Sequence, residues 1–279
     1  MKRAIGLDHL TLLEVAPPDL VSLAAAAGFD TVGLRVSPVI AGEETWPMSP
    51  GSPMLAETRR RCAGTGLTVH AVEAIALGPG ASLSGRERVI ETAAALGARY
   101  LNVICDDPDT GRFTERFAAL VQLSRPAGVR PVIEFTAYRP VRTLRDAVAI
   151  ARRSGGAILL DALHIQRCGV SVADIARVEP ALLSYLQLCD APRQQPRHLP
   201  VPAASAGGQR AAAPSDAVLE ARTARLLPGE GELPLQALLE ALPPGLLVSV
   251  EAPSAAALAA VGPDDYAAQA RHAVRSLAG

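Results

Sequence analysis

The sequence lacks an excess of positive charge. Its 27 lysine and arginine residues are balanced by 28 aspartate and glutamate residues, which gives a formal net charge of −1 at pH 7. Proteins that bind nucleic acid generally need a basic surface that replaces the counterions of the phosphates. We therefore expect no nucleic-acid partner, and a small molecule as the ligand.

Cysteine and long apolar runs are also scarce. The four cysteines show neither CxxC nor zinc-ribbon spacing, and the first residues do not have the pattern of a secretory signal. No apolar run reaches the ~18 to 20 residues that a helix needs to span a bilayer. These absences predict a cytoplasmic protein with reduced cysteines and no membrane association.

Short apolar runs alternate along the chain with longer amphipathic segments rich in alanine, leucine and arginine. This is the pattern of parallel strands joined by crossover helices. We predict eight strands, at residues 3–7, 31–36, 68–72, 100–104, 131–135, 157–160, 184–189 and 246–250. We predict helices at residues 19–27, 54–64, 85–96, 114–124, 141–154 and 235–242. The α/β pattern and the length of 279 residues predict a (β/α)8 TIM barrel, one domain over residues 1–279.

One segment interrupts the alternation. Residues 194–215 are rich in proline, alanine, glycine and glutamine and can contribute little to a core. The segment follows the seventh predicted strand, on the face where barrel enzymes form their active sites. A flexible lid over the site is one interpretation, and an insertion without a function is the other.

Four predicted strands end at or near a polar residue, and these residues are Glu134, Asp161, Gln187 and Glu251. Each one alone could be a capping or salt-bridged group. The carboxyl ends of barrel strands meet at one rim, however, and three buried carboxylates there are costly without a cation. Oxygen ligands suit a hard ion such as Mn²⁺ or Mg²⁺, with Co²⁺ and Zn²⁺ as alternatives. We predict one divalent metal ion bound by these four residues.

Four further residues are candidates for binding a substrate. His164 follows the sixth strand and His70 lies on the third, and each could contact substrate or be a structural histidine. Arg193 and Arg225 could bind a carboxylate or phosphate through a bidentate contact, or be solvated surface charges. The sequence has no Ser-His-Asp arrangement and no dinucleotide fingerprint, which disfavours serine hydrolase and NAD chemistry.

Several motifs together resemble one family. They are Ile-Glu-Phe at 133–135, Leu-Asp-x-x-His at 160–164, Gln-x-x-Asp-Ala-Pro at 187–192, Arg-Leu-Leu-Pro-Gly-Glu-Gly-Glu at 225–232 and Ser-Val-Glu at 249–251. The set is similar to the xylose isomerase-like barrel superfamily of sugar isomerases, epimerases and inosose dehydratases. The resemblance covers almost the whole chain. It implies that the four strand-end residues are the metal ligands, that Glu134 and Glu251 are also the catalytic acid and base, and that Arg193 contacts substrate.

The resemblance implies an enzyme of carbohydrate metabolism. In such an enzyme a proton is removed next to a carbonyl, and the metal stabilises the resulting enediolate. The expected activity is that of an isomerase or epimerase. The expected substrate is a sugar, a sugar phosphate or a cyclic polyhydroxy ketone or acid. Because barrels of this type often pair, a homodimer is also expected.

Gln187 departs from the sugar epimerases, which usually carry histidine there. Glutamine at this position resembles the bacterial 3-dehydroshikimate dehydratases. The alternative activity is therefore that of a lyase, which dehydrates 3-dehydroshikimate or a keto-inositol after the same proton abstraction. A barrel that binds a ligand without catalysis is a further alternative. A DNA-repair endonuclease of this fold is disfavoured, because those proteins hold three metals with more histidines, and this sequence has five in total.

Overall fold

The protein is described here by a computed structural model that covers residues 3–39, 43, 46–201 and 214–278. Of the segment interpreted as a lid, residues 202–213 lie outside the described residues. The lid therefore stays a prediction.

Eight parallel strands form a closed barrel in chain order, with β8 paired to β1. This confirms the predicted (β/α)8 TIM barrel and its single domain. The strands are β1 Ile5–Leu7, β2 Thr31–Arg35, β3 Thr68–Leu77, β4 Tyr100–Cys105, β5 Arg130–Glu134, β6 Ala157–Asp161, β7 Leu183–Leu188 and β8 Leu247–Val250. Seven of them begin and end within two residues of the prediction. The exception is β3, which continues five residues further, to Leu77.

Helices surround the barrel and connect the strands. They are α1 Pro17–Ala27, α2 Pro53–Thr65, α3 Glu87–Ala95, α4 Thr110–Ser124, α5 Leu144–Ser154, α6 Ala162–Arg167, α7 Val172–Ile175, α8 Asp216–Thr223, α9 Leu235–Ala241 and α10 Ala255–Ala278. The six predicted helices correspond to α1–α5 and α9. Helix α10 was not predicted, and it is kinked at Gly262, whose φ is 78°, directly before Pro263.

Sequence signals at the helix ends explain where the helices begin and stop. Gly28 and Gly66 follow α1 and α2 with φ of 84° and 75°, a left-handed conformation that glycine adopts without steric cost. At the start of α2 and α5, the side chains of Ser52 and Thr143 accept hydrogen bonds from backbone N–H groups of the first turn. The chain therefore returns to the start of the next strand after each helix.

The core has two parts. The larger part fills the space between the barrel and its helices, and Phe113 and Phe117 of α4 are fully buried in it. The smaller part lies inside the barrel and consists of Ala71, Tyr100, Val132, Ala157, Leu159 and Tyr185. This inner cluster is a packed floor, as expected in a barrel of this type. Polar side chains above it occupy the mouth at the carboxyl ends of the strands.

The state of the cysteines and the length and hydropathy of the helices bear on the predicted cellular compartment. All four cysteines, Cys62, Cys105, Cys168 and Cys189, are free thiols. Among the described helices, none combines the length and the hydropathy that crossing a bilayer requires.

Candidate metal and catalytic site

The four predicted ligands lie side by side at the barrel mouth. Glu134 and Asp161 are the last residues of β5 and β6, Gln187 is the last but one of β7, and Glu251 directly follows β8. Asp161 is in register with Gln187, and Gln187 in turn with Ser249. All four ligand side chains are buried, with residue exposures of 0 to 6%. The structure thus brings together residues that are up to 117 positions apart in the sequence.

Arg225 lies between two of these carboxylates. Its Nη1 donates to Asp161 Oδ2 at 2.6 Å, and its Nη2 is 3.0 Å from Glu251 Oε2. The same guanidinium also donates to the backbone carbonyls of Ala221 and Glu251. Arg225 was predicted to bind substrate, but its contacts in the structure are with the protein. It supplies part of the positive charge that the buried carboxylates require.

The side chain of Gln187 has a defined orientation. Its Nε2 donates to Asp8 Oδ2 at 2.9 Å and to Glu251 Oε1 at 2.8 Å. Both partners are carboxyl oxygens that accept from the amide N–H, so the amide nitrogen faces these two groups. The amide oxygen then points the other way, and it is buried with no partner among the described residues. A neutral, hard oxygen without a partner among the described residues, on the strand between those that carry Asp161 and Glu251, fits a divalent cation.

His164 was predicted to contact substrate, and in the structure it lies next to two of the predicted ligands. Its backbone N–H donates to Asp161 Oδ1 at 2.9 Å, and its Nε2 is 3.5 Å from Glu134 Oε1. The possible ligand atoms of Glu134, Asp161 and His164 all lie within 4.8 Å of one another. Burial lowers the pKa of His164 to about 4, so the imidazole is neutral at pH 7 and can bind a metal or a substrate hydroxyl.

The carboxyl groups of the site differ in proton affinity. Burial, and then the charge of Asp161, raises the pKa of Glu134 to about 7. Burial also raises the pKa of Glu251 well above its ordinary value, although Arg225 opposes this rise. For Asp161 burial acts in the same direction, but Arg225 and His164 outweigh it, and the pKa of Asp161 is lowered. The site therefore combines one carboxyl whose pKa is lowered with two whose pKa is raised, and that of Glu134 lies close to neutral pH.

The two remaining candidates lie away from the ligands. His70 is inside the barrel on β3, where its Nε2 donates to Asp8 Oδ1 at 2.8 Å and its ring contacts Tyr185 edge to face. Arg193 is exposed, and its backbone N–H donates to Glu232 Oε2 at 2.9 Å. In this structure His70 supports Asp8 beneath the ligands, and Arg193 is on the outer loop after β7.

The structure also adds polar residues that were not among the predicted site residues. Asp8 and Glu73 are buried beside each other, and Asp8 accepts from Ser249 Oγ at 2.6 Å as well as from Gln187. Asn102 Nδ2 donates to Glu134 Oε2 at 3.0 Å. In the sequence these residues resemble the predicted ligands, because each is a polar side chain on an apolar strand or at its end. The sequence alone does not show which of them point inward.

Solved structures with the same fold include three that match this chain over their whole length. The IolI protein, solved with a bound zinc atom, has a TM-score of 0.75 and 17% identity, with 100% of this chain and 98% of that one covered. A D-psicose 3-epimerase, solved in the presence of D-fructose, has a TM-score of 0.71 and 15% identity, with 100% of both chains covered. The probable 3-DHS dehydratase AsbF from Bacillus anthracis has a TM-score of 0.71 and 14% identity, with 99% of both chains covered.

A larger protein also contains this fold. It is a fusion of a xylose isomerase-like TIM barrel with a 4-hydroxyphenylpyruvate dioxygenase, with a TM-score of 0.76 and 18% identity, and the match covers 99% of this chain and 43% of the fusion. No curated protein matches the sequence significantly. The sequence profile of the xylose isomerase-like TIM barrel matches residues 21–277. The chain therefore belongs to the xylose isomerase-like TIM barrel family.

Proposed function

We propose that this protein is a divalent-metal-dependent isomerase or epimerase of a sugar or a sugar-like polyhydroxy ketone. The observation that carries the proposal is the buried amide oxygen of Gln187, which has no hydrogen-bond partner in the described part of the chain. It lies at the barrel mouth that also holds the buried carboxylates of Glu134, Asp161 and Glu251. A cation satisfies that oxygen and compensates the charge that Arg225 leaves uncompensated. The likeness in fold to a D-psicose 3-epimerase and to a zinc-binding protein supports the same proposal.

The proposed ligands are Glu134, Asp161, Gln187 and Glu251. Their donor set is three carboxylates and one amide oxygen, which suits Mn²⁺ or Mg²⁺ best and also accepts Co²⁺ or Zn²⁺. When bound there, the ion would polarise the substrate carbonyl and stabilise the negative charge that develops when a proton leaves the neighbouring carbon. His164 is close enough to Glu134 to bind a substrate hydroxyl next to the ion.

Glu134 and Glu251 are proposed as the acid and base. They lie at the ends of β5 and β8, three strands apart, so they can reach a bound substrate from different sides. Burial raises the pKa of both carboxyls, and a value of about 7 lets Glu134 hold or release a proton near neutral pH. One group takes the proton from the carbon and the other returns a proton, on the other face or at the neighbouring carbon. The first outcome is epimerisation and the second is isomerisation.

Dehydration is the second candidate, and Gln187 favours it. The chain has an amide ligand where the sugar epimerases usually have histidine, and its fold is similar to that of a 3-DHS dehydratase. The first step is the same removal of a proton next to the carbonyl. If a neighbouring hydroxyl then leaves as water, the product is the unsaturated compound. The substrate would be 3-dehydroshikimate or a keto-inositol.

The proposal also covers the cellular compartment of the enzyme and the kind of molecule that it binds. Free thiols at all four cysteines favour the reducing cytoplasm. The mouth is lined by buried polar groups, which favours a small polyhydroxy compound as the partner. The homodimer stays a prediction.

Proton exchange in D2O tests the proposal directly. The metal-loaded protein is incubated in D2O with a panel of ketohexoses and, separately, with 3-dehydroshikimate, and the products are followed by NMR and ultraviolet absorbance. Deuterium at the carbon next to the carbonyl, together with a new sugar, identifies the isomerase or epimerase. A new aromatic absorbance identifies the dehydratase. Neither signal with any compound, although metal is bound, would contradict catalysis and favour a binding barrel.

Variants of the proposed acid and base test whether the turnover comes from this site. Glu134→Gln and Glu251→Gln should each lower turnover by at least about 100-fold, because each removes a group that transfers a proton. The matched control is Glu220→Gln, since Glu220 is a buried carboxylate that pairs with Arg167 at 2.6 Å and is not a proposed ligand. Turnover that survives in both site variants would contradict the assignment of acid and base.

A further inference from the structure

A buried arginine at the barrel mouth has no anionic partner within hydrogen-bond distance among the described residues. Arg35 is the last residue of β2 and is 3% exposed. Its Nε and Nη1 are buried, and neither has a hydrogen-bond partner within the described part of the chain. A buried guanidinium without a partner is unfavourable, so its presence at the barrel mouth calls for an explanation.

The side chain of Arg35 points into the barrel. A Cβ placed on Gly33 would collide with the carboxylates of Glu73 and Asp8, which lie inside the mouth. Arg35 is two residues further along the same strand, so its side chain lies on the same face. Burial raises the pKa of Glu134 and of Glu73, and the charge of Arg35 offsets part of the rise in both. The guanidinium therefore lies inside the same barrel mouth as the proposed ligand Glu134.

Two acids neighbour Arg35, and neither is hydrogen-bonded to it. Glu73, its register partner on β3, accepts from the backbone N–H of His9, and its other oxygen has no partner among the described residues. Glu43 is already paired. Glu43 Oε2 is 4.0 Å from Arg35 Nη1, beyond hydrogen-bond distance. Glu43 Oε1 accepts from Arg222 Nη2 at 2.6 Å, and Oε2 accepts from the backbone N–H of Val39. His9 offers no charge, because burial lowers its pKa to about 4. The free donors of Arg35 are thus available to a ligand.

We propose that Arg35 binds a carboxylate of the substrate, so that the substrate is an acidic polyhydroxy carbonyl compound. This inference rests on the proposed function, because it takes the reaction to occur at the metal site. In the closed barrel β2 lies across from β6, whose last residue is the ligand Asp161. The carboxylate is therefore at the end of the molecule remote from the reacting carbonyl.

The charge of the site favours a carboxylate over a phosphate. A phosphate monoester carries about −1.5 to −2 charges at pH 7 and needs more than one guanidinium. Arg222 and Arg225 are already engaged with Glu43 and with the proposed ligands. The guanidinium of Arg35, whose Nε and Nη1 have no partner in the ranges that the structure describes, matches a single negative charge. A charge-assisted hydrogen bond to it is stronger than one to a neutral hydroxyl.

Matched ligand pairs test this proposal by titration calorimetry. The protein is first loaded with Mn²⁺, and its metal content is measured. It is then titrated with D-glucuronate beside D-glucose and with shikimate beside methyl shikimate, and D-glucose 6-phosphate tests the phosphate. We expect at least one carboxylate to bind about tenfold or more tightly than its neutral partner. Equal binding within both pairs, no binding of either acid, or tighter binding of the phosphate ester would overturn the proposal.

Substitutions then locate the contact. Arg35→Met should abolish the preference for the acid while the metal content stays at the wild-type value. Arg35→Lys should keep part of the preference, because the positive charge remains. The control is Arg60→Met on the exposed face of α2, which should change nothing. A preference that survives in Arg35→Met would overturn the proposal. If Arg35→Met does not fold, the wild-type pairs and Arg35→Lys still decide the question.

The outcome separates this inference from the proposed function. Acid binding through Arg35 without any turnover would uphold the anion site and contradict the proposed reaction. Turnover of neutral sugars with no effect of Arg35→Met would uphold the reaction and overturn the anion site.

Discussion

Lowering the pH from 8 to 6 should weaken the binding of Mn²⁺ by about tenfold. The cause is Glu134, whose pKa is raised to about 7 by burial and by the neighbouring charge of Asp161. A carboxylate must lose its proton before it can bind a metal, so protons and metal compete for the same group. The competition occurs at physiological pH only because this carboxyl is buried.

The magnitude follows from the pKa. The apparent dissociation constant of the metal increases by the factor 1 + 10^(pKa − pH), which is about 11 at pH 6 and about 1.1 at pH 8 for a pKa of about 7. The ratio is about ten for Glu134 alone. Burial raises the pKa of Glu251 as well, so the complete effect should be larger.

Titration calorimetry at pH 6, 7 and 8, corrected for buffer ionisation, measures the effect. Glu134→Gln should bind Mn²⁺ more weakly at every pH and with a smaller pH dependence. Glu220→Gln should behave like the wild type, because Glu220 is paired with Arg167 outside the proposed ligand set. The same dissociation constant at pH 6 and pH 8 in the wild type would refute the assignment of Glu134 as a ligand with a raised pKa.

Three further changes test the charges around the site. Arg225→Met leaves Asp161 and Glu251 without their counterion, so the unfolding free energy measured by urea denaturation should fall by about 3 to 5 kcal/mol. An unchanged midpoint of the urea transition would contradict the ion pairs. Asp8→Leu removes the acceptor that orients the amide of Gln187, a proposed ligand, so the Mn²⁺ affinity measured by calorimetry should fall about 10- to 100-fold. An unchanged affinity in the folded variant would contradict this role of Asp8. In the metal-free protein the raised pKa of Glu134 alone should lower the unfolding free energy by about 2 kcal/mol as the pH rises from 5 to 7.5, and the raised pKa of Glu251 should add to this decrease. The folded-state pKa of Glu134 lies above its unfolded value, so the native protein holds this proton more tightly, and an increase over this range would contradict the shift.

Much of the fold could be predicted because barrel strands are buried on both faces. Such strands appear in the sequence as short apolar runs, and seven of the eight began and ended within two residues of the prediction. Strand β3 continues through Glu73 to Leu77, past the polar residue at which the prediction stopped it. Helices α6, α7, α8 and α10 were not among the predicted helices. In α10, Gly262 and Pro263 interrupt the helical pattern and divide it into two parts, both of which pack against the core.

The proposed ligands could be found from their positions at strand ends, but their surroundings could not. Which strand residues point inward depends on register, and the β2–β3 pairing shifts between Val32 and Gly33. The shift adds one residue to β3, so an alternation counted from the start of that strand does not reach Glu73 correctly. The path of the loop that carries Arg225 is set by contacts between distant segments, and these place it between Asp161 and Glu251.

Elemental analysis by plasma mass spectrometry tests the central claim, that a divalent metal occupies the four strand-end residues. The purified wild type is measured beside Asp161→Asn and Glu251→Gln, with Glu220→Gln as the control, after reloading with Mn²⁺ and removal of free ion. The account predicts about one metal ion per chain in the wild type and the control, and little in the two site variants. A wild type without metal, or site variants that retain it, would contradict the account.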